Sequence, residues 1–151
     1  MTAIKDAIKR TYLLQGLSDE QVEKVAEVCH IKEFDGGEPI VRQYAKDNDL
    51  MIVLEGNVRI NSFSGEKLAE CGPGGVIGEM SLLDDKPRSA TVVGLGRCRV
   101  ALLESESLWG VMNEDCELAK TILLNISRVL CMKLRAANIQ LDLTTSRPLV
   151  M

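Results

Sequence analysis

Apolar side chains recur at helical spacing at the start of the chain. Residues 2–14 predict a short helix that ends at Gly16. The pattern Ser18-x-x-Gln21 follows, which is typical of a capping box, where each side chain bonds the backbone N–H of the other residue. Apolar positions keep helical spacing after it, so we predict a second helix that starts at Ser18 and stops near His30.

Between Ile31 and Leu103 the apolar positions change to short β-prone stretches. Pairs of turn-forming residues separate these stretches, among them Gly36-Gly37, Gly56-Asn57 and Gly74-Gly75. Many short strands at this spacing predict an antiparallel sandwich or barrel, and no helices alternate with them as a parallel sheet requires. The expected fold class is therefore mainly β with flanking helices.

The chain returns to helix formers after the β-prone middle. Residues 105–143 contain no proline, and Ser105 or Ser107 can cap a first helix there. Asn113 or Asp115 can cap the helix that follows. We therefore predict two C-terminal helices, the second of them long.

The long helix carries an apolar stripe at alternating spacings of three and four. Its members are Leu123, Ser127, Leu130, Leu134, Ala137 and Leu141. A stripe of this width can pack on the β core or form the seam of a two-helix dimer. Both alternatives stay open, so a homodimer through Leu123–Leu141 is one expected partner.

Length and charge favour one domain without a nucleic-acid surface. A chain of 151 residues predicts a single domain, and its net charge of −4 shows no basic excess. The five cysteines form no CxxC pair, which favours reduced thiols over a disulfide framework or a zinc site. The N-terminus has no signal-peptide pattern and no apolar run reaches bilayer length. We expect a cytoplasmic protein that makes no membrane contact.

Catalytic patterns are missing from the sequence. His30 is the single histidine, and neither a Ser-His-Asp arrangement nor a Walker-type loop occurs. Asp84 and Asp85 fit a loop tip better than a metal pair. We therefore expect no catalytic residues, no metal and no enzyme activity.

The segment Gly74–Val93, GGVIGEMSLLDDKPRSATVV, carries the candidate chemistry. Gly78 permits close backbone approach, and the Glu79 carboxylate can accept a bond from a sugar hydroxyl. The guanidinium of Arg88 matches phosphate oxygens, and Ser89 adds a hydroxyl beside it. Together these groups can hold a ligand with one phosphate and one ribose. The residues alone also allow a structural ion pair between Glu79 and Arg88 across a hairpin, and they favour this alternative.

The same segment resembles the phosphate-binding cassette of the cyclic nucleotide-binding domain family. The family includes catabolite activator proteins and the regulatory subunits of cyclic-AMP-dependent protein kinase. Residues 77–82, IGEMSL, and 88–91, RSAT, match the two halves of the motif. The resemblance extends to GGEPIVRQ, to MIVLEGNVRI and to the long helix, and covers about residues 12–141. The departures are Ile77 and Met51, where relatives often have aromatics, and the loop YAKDND, which lacks the usual glycine-aspartate turn.

The resemblance implies a jelly-roll-like β-barrel, a double-stranded β-helix, with a C-terminal hinge or lid helix. It divides the chain into N-terminal helices over 1–30, a cyclic nucleotide-binding barrel over 31–104, C-terminal helices over 105–142 and a loose tail over 143–151.

The resemblance also implies a ligand site. Six cassette residues belong to it: Gly78, Glu79, Met80, Arg88, Ser89 and Ala90. In this assignment Glu79 accepts the ribose 2′-hydroxyl, and Arg88 with Ser89 binds the cyclic phosphate. At the base-contacting positions of the lid helix stand Ala137 and Asn138, with Arg135 nearby. For Asn138 and Arg135 a solvated helix face is the alternative.

The function implied is that of a sensor domain. It binds cyclic AMP, with cyclic GMP as the alternative, and signals to a dimer partner or a protein effector by movement of the C-terminal helix. About ten residues follow Leu141, too few for a DNA-reading domain, so no direct DNA contact is expected. The alternatives are an interaction module that binds no ligand, or the sensor fragment of a larger regulator such as a transcription factor.

Overall fold

The N-terminal region is helical and leads directly into the first strand. A computed structural model describes residues 2–41, 48–62, 64–86 and 90–145. The predicted first helix is interrupted, because α1 (Thr2–Ile8) is followed by a separate 3₁₀ turn over Tyr12–Leu14. Helix α2 (Asp19–Glu27) begins with the predicted capping box, but it ends before His30.

The boundary of α2 was predicted too late because β1 competes for its last residues. Strand β1 (Cys29–Phe34) pairs with the end of β8 (Cys98–Leu103), with Cys29 opposite Leu103 and His30 opposite Leu102. Cys29 therefore reaches the core from a strand, where burial raises the pKa of its thiol to about 12.

Within the described residues, eight strands form two four-stranded sheets. Between β1 and β8 lie β2 (Pro39–Val41), β3 (Leu50–Glu55), β4 (Val58–Asn61), β5 (Lys67–Cys71), β6 (Val76–Ile77) and β7 (Thr91–Gly94). One sheet has the order β1-β8-β3-β6 and the other the order β2-β7-β4-β5, with antiparallel pairing between the neighbours. The predicted antiparallel β architecture with flanking helices is confirmed.

Strand β3 is buried on both faces, which explains its unbroken apolar run. Leu50 and Ile52 join the core beneath the helices, whereas Met51 and Val53 join the core between the sheets. Successive strand residues point to opposite faces, so a strand with both faces covered needs apolar residues at every position. Two cores thus meet at one strand.

Gly56 closes the turn between β3 and β4. Its φ of +87° is unfavourable for side chains other than glycine, and an added Cβ would lie 2.6 Å from the Arg97 carbonyl oxygen. A glycine is therefore required here, because the turn between β3 and β4 packs against the backbone of Arg97 and Cys98.

Two C-terminal helices within the described residues pack over the helix-side core, which is the core that Leu50 and Ile52 join. Helix α4 (Ser105–Glu114) has Glu104 rather than a serine at its N-cap position. The 30-residue helix α5 (Cys116–Thr145) follows, and the Asp115 carboxylate accepts the backbone N–H of Leu118 at 3.1 Å, as a cap does. No helix within the described residues has the combined length and apolar character needed to cross a bilayer.

The predicted stripe on α5 divides into two halves. Leu123 is half-buried and Leu130 packs against the helix-side core. Beyond that point Leu134 and Leu141 are 59% and 61% exposed. Packing on the β core therefore accounts for the first half of the stripe and leaves the second half open to another partner.

Candidate functional site

The Gly78-Glu79 step connects strand β6 to a short helix, α3 (Glu79–Asp84). Gly78 has a φ of +95°, a left-handed conformation that glycine adopts without steric cost. The chain therefore turns sharply and places Glu79 in the first turn of α3, where only 6% of the residue is exposed.

A cavity of about 230 Å³ opens beside this turn. Four of the predicted site residues line it, namely Gly78, Glu79, Met80 and Ala90. The other lining residues are Ile60, Leu68, Val76, Ile77, Ser81, Val92 and Lys133. The walls are thus mostly apolar, with one carboxylate and one ammonium group facing each other, which is typical of a small-molecule site.

Among the described lining residues, Lys133 of α5 is the charged one that the sequence analysis missed. Its Nζ donates to Glu79 Oε1 at 2.8 Å, although 54 residues separate the two positions. The side chain of Glu79 is 8% exposed and that of Lys133 is 59% exposed, so the pair joins a buried carboxylate to a mostly exposed residue of α5. Lys133 lies one helical turn before Ala137, and that spacing was the available signal.

A second layer of titratable groups lies behind Glu79. Burial raises the pKa of the Cys71 thiol, the Lys133 ammonium lowers it and the Glu79 carboxylate raises it. Burial also raises the pKa of the Tyr12 hydroxyl far above its usual range, and the charges of Glu79 and Cys71 raise it further. The 3₁₀ turn and strand β5 therefore both reach the neighbourhood of the Glu79 carboxylate.

The cavity lining that the structure describes does not include the other four predicted site residues. Arg88 and Ser89 lie outside the described residues. On α5, Arg135 is exposed and Asn138 is half-buried, and neither belongs to the cavity lining that the structure describes. Their assigned contacts with a base remain predictions.

Comparison with known proteins identifies the same family along the chain. The family model of the cyclic nucleotide-binding domain matches residues 31–115. The cyclic AMP receptor protein of Thermus thermophilus is 31% identical over 90% of this chain and 63% of its own length. The cGMP-dependent protein kinase isozyme 1 of Drosophila melanogaster is 28% identical over 80% of this chain and 17% of its own length. The chain thus spans less than two thirds of the length of these relatives.

Solved structures agree with the sequence matches. The crystal structure of the Thermus thermophilus catabolite activator protein superposes with a TM-score of 0.78 at 29% identity, covering 89% of this chain and 63% of that one. The regulatory domain of Toxoplasma gondii PKA, crystallised with cAMP, gives a TM-score of 0.72 at 26% identity over 89% of this chain and 49% of its own. With the family model matching 85 of 151 residues (31–115), this chain belongs to the cyclic nucleotide-binding domain family.

Proposed function

We propose that this chain is a regulatory domain that binds cyclic AMP, with cyclic GMP as the alternative purine ligand. The observation that carries the proposal is the buried Glu79 carboxylate, held at the Gly78 turn on the wall of a mostly apolar cavity. The Toxoplasma gondii regulatory domain was crystallised with cAMP, and the Drosophila relative is a cGMP-dependent kinase, so these relatives support both ligands. No catalytic step is assigned to the chain.

Each polar group in this proposal has one role. Glu79 accepts the ribose 2′-hydroxyl, since a carboxylate is an acceptor only, and the Gly78 backbone lies beside the same sugar. Arg88 and Ser89 bind the cyclic phosphate, as the family resemblance assigns them. Met80 and Ala90 line the cavity around the sugar and phosphate.

The purine base is proposed to lie against the apolar wall under α5. Leu68 is 62% exposed at the cavity and offers apolar surface to a ring. Asn138, with Arg135 nearby, is the proposed contact from the helix to the base edge. Lys133 already joins α5 to the cassette, so a ligand that engages Glu79 acts directly on a lid contact.

Signalling in this proposal uses a shift of α5. A ligand changes a conformational equilibrium only by its different affinities for the two states. The contact between Lys133 and Glu79 is a state-dependent candidate, because it links the ribose carboxylate to the moving helix. A dimer partner or a protein effector then reads the helix position.

Isothermal calorimetry with cyclic AMP and cyclic GMP tests the assignment. Arg88→Ala is expected to weaken binding roughly tenfold to hundredfold, the range for a lost hydrogen bond to a charged group, and Glu79→Gln should also weaken it. Arg128→Ala removes an exposed arginine of α5 and serves as the matched control with unchanged affinity. Wild-type affinity in both site variants would show that the pocket is assigned wrongly.

Thermal stability gives an independent readout of the same binding. A ligand at 100 times its dissociation constant is expected to stabilise the native state by about 2.7 kcal/mol. If neither nucleotide shifts the unfolding transition of the wild-type protein, the domain acts as an interaction module through α5 instead. The exposed leucines in the second half of that helix favour this second candidate function.

A further inference from the structure

The Tyr12 hydroxyl is enclosed and has no hydrogen-bond partner within the described residues. A buried donor without a partner is costly, so native proteins rarely retain one without a role for it. Phenylalanine has the same ring and would avoid the cost. We therefore expect the hydroxyl to form a hydrogen bond in another state of the protein, such as the ligand-bound state.

The surroundings of this hydroxyl point to the ligand site. The charge of Glu79 and the thiol of Cys71 both act on Tyr12, and burial keeps the hydroxyl protonated, so it stays a donor at neutral pH. Glu79 uses Oε1 for Lys133, and a carboxylate has about four lone-pair positions. The Glu79 carboxylate thus has acceptor capacity left for another donor.

The backbone around Tyr12 is fixed from two sides. Thr11 Oγ1 donates to the Gly74 carbonyl at 2.7 Å, which attaches the segment to the glycine loop before the cassette. Asn125 Nδ2 of α5 donates to the carbonyls of Leu13 and Gln15 at 3.0 and 2.9 Å. The backbone on both sides of Tyr12 is thus attached to the long helix and to the loop before the cassette.

We propose that Tyr12 is a positioning residue for the ribose-binding carboxylate. When Glu79 accepts the 2′-hydroxyl of the nucleotide, a rotation of its side chain brings a carboxylate oxygen to the Tyr12 hydroxyl, which donates to it. The bond holds Glu79 in the orientation that the sugar requires. This inference rests on the proposed function, and it adds the 3₁₀ turn to the elements that recognise the ligand.

Cyclic AMP and its 2′-deoxy analogue, titrated into wild-type protein and Tyr12→Phe, test the inference. Because Tyr12 acts through the ribose contact, Tyr12→Phe should weaken cyclic AMP binding about tenfold and leave the affinity for the 2′-deoxy analogue within about twofold. The thermal unfolding midpoint of the nucleotide-free protein should not fall, since the variant removes an unpartnered polar group. Thr121→Val removes a hydroxyl that donates within α5 and is the control with unchanged affinities.

Two results would overturn the inference while leaving the proposed function in place. One is unchanged cyclic AMP affinity in Tyr12→Phe, and the other is an equal loss for both nucleotides, which indicates a packing effect. If Tyr12→Phe still weakens cyclic AMP binding when Glu79 is already replaced by glutamine, Tyr12 does not act through the Glu79 carboxylate. If wild-type protein binds neither cyclic AMP nor cyclic GMP, the proposed function fails, and the inference fails with it.

Discussion

At the scale of single residues, the Glu79 carboxylate depends on its partners because it is almost completely buried. An ionised group removed from water must be paired or hydrogen-bonded. Lys133 supplies the cation at 2.8 Å, and most of the lysine stays in solvent. Removing the lysine is therefore expected to cost more than breaking an ordinary surface ion pair, because the carboxylate would stay buried without its cation.

Replacing Lys133 by methionine is expected to destabilise the nucleotide-free protein by about 1 kcal/mol, since the nearly buried carboxylate loses its cation. Urea unfolding of Lys133→Met, Glu79→Gln and the double variant measures this. The double variant should lose less than the sum of the single variants, by roughly 1 kcal/mol of coupling.

Lys120→Met provides the comparison, because Lys120 is an exposed lysine of the same helix. Its stability should lie within about 0.5 kcal/mol of wild type. Strict additivity between Glu79 and Lys133 would mean that the contact contributes nothing to the folded state.

At the scale of elements, local sequence patterns predicted the secondary structure correctly wherever a segment determines its own structure. The capping box at Ser18 and the apolar run of β3 are such cases. The predicted helix over 2–14 was wrong beyond Ile8, because the hydroxyl of Thr11 bonds Gly74, which is 63 residues away. Contacts between distant segments leave no periodic signal in the sequence.

The candidate site shows the same division. Gly78 and Glu79 were predictable from the motif, and the structure places both at the cavity. Lys133 was not predictable from the motif, since its contact with Glu79 depends on how α5 packs against the cassette. The role proposed for Tyr12 was also not predictable, because a tyrosine in an apolar segment is indistinguishable from a core residue until its neighbours are known.

Asn125 makes the attachment of the 3₁₀ turn to α5 testable. Asn125→Ala removes two hydrogen bonds and leaves the Leu13 and Gln15 carbonyls without this donor, so we expect a loss of about 2–3 kcal/mol. Urea unfolding measures the loss, and hydrogen exchange around residues 12–15 should accelerate more than exchange in the sheets.

The matched substitution is Asn113→Ala on the exposed side of α4. It should change the stability by no more than about 0.5 kcal/mol. Equal losses for the two asparagine variants would contradict the assignment of Asn125 as the attachment point.

At the scale of the whole molecule, α5 serves two surfaces at once. Its first half is buried, with Leu118, Ile122 and Ile126 fully enclosed in the helix-side core. Its second half carries Lys133 at the cavity and, next to it, Leu134 with 59% exposure. Consecutive helix residues point about 100° apart, so a rotation that changes the cavity contact also reorients the exposed leucines. In the proposed function, a shift of α5 therefore links ligand binding to a subunit contact.

We expect the exposed leucines to pair with those of a second copy. Leu134 and Leu141 are seven residues apart and lie on one side of α5, the spacing of a two-helix seam. Light scattering should show a dimer for the wild-type protein. Leu134→Glu combined with Leu141→Glu should weaken dimerisation by roughly 100-fold or more. The seam would lose the apolar area of these leucines, and pairing would place glutamate charges in the interface.

Ala136→Glu is the matched control for this dimer, since residue 136 is exposed and lies about 200° around the helix from Leu134. It introduces the same charge on the opposite side, so the dimer should persist. A monomeric wild-type protein, or a dimer that tolerates glutamate at both leucine positions, would contradict the seam. The double variant leaves the cavity residues unchanged, so its nucleotide affinity separates the two proposed roles of α5. Unchanged nucleotide binding by the monomeric variant would show that the site is complete within one chain.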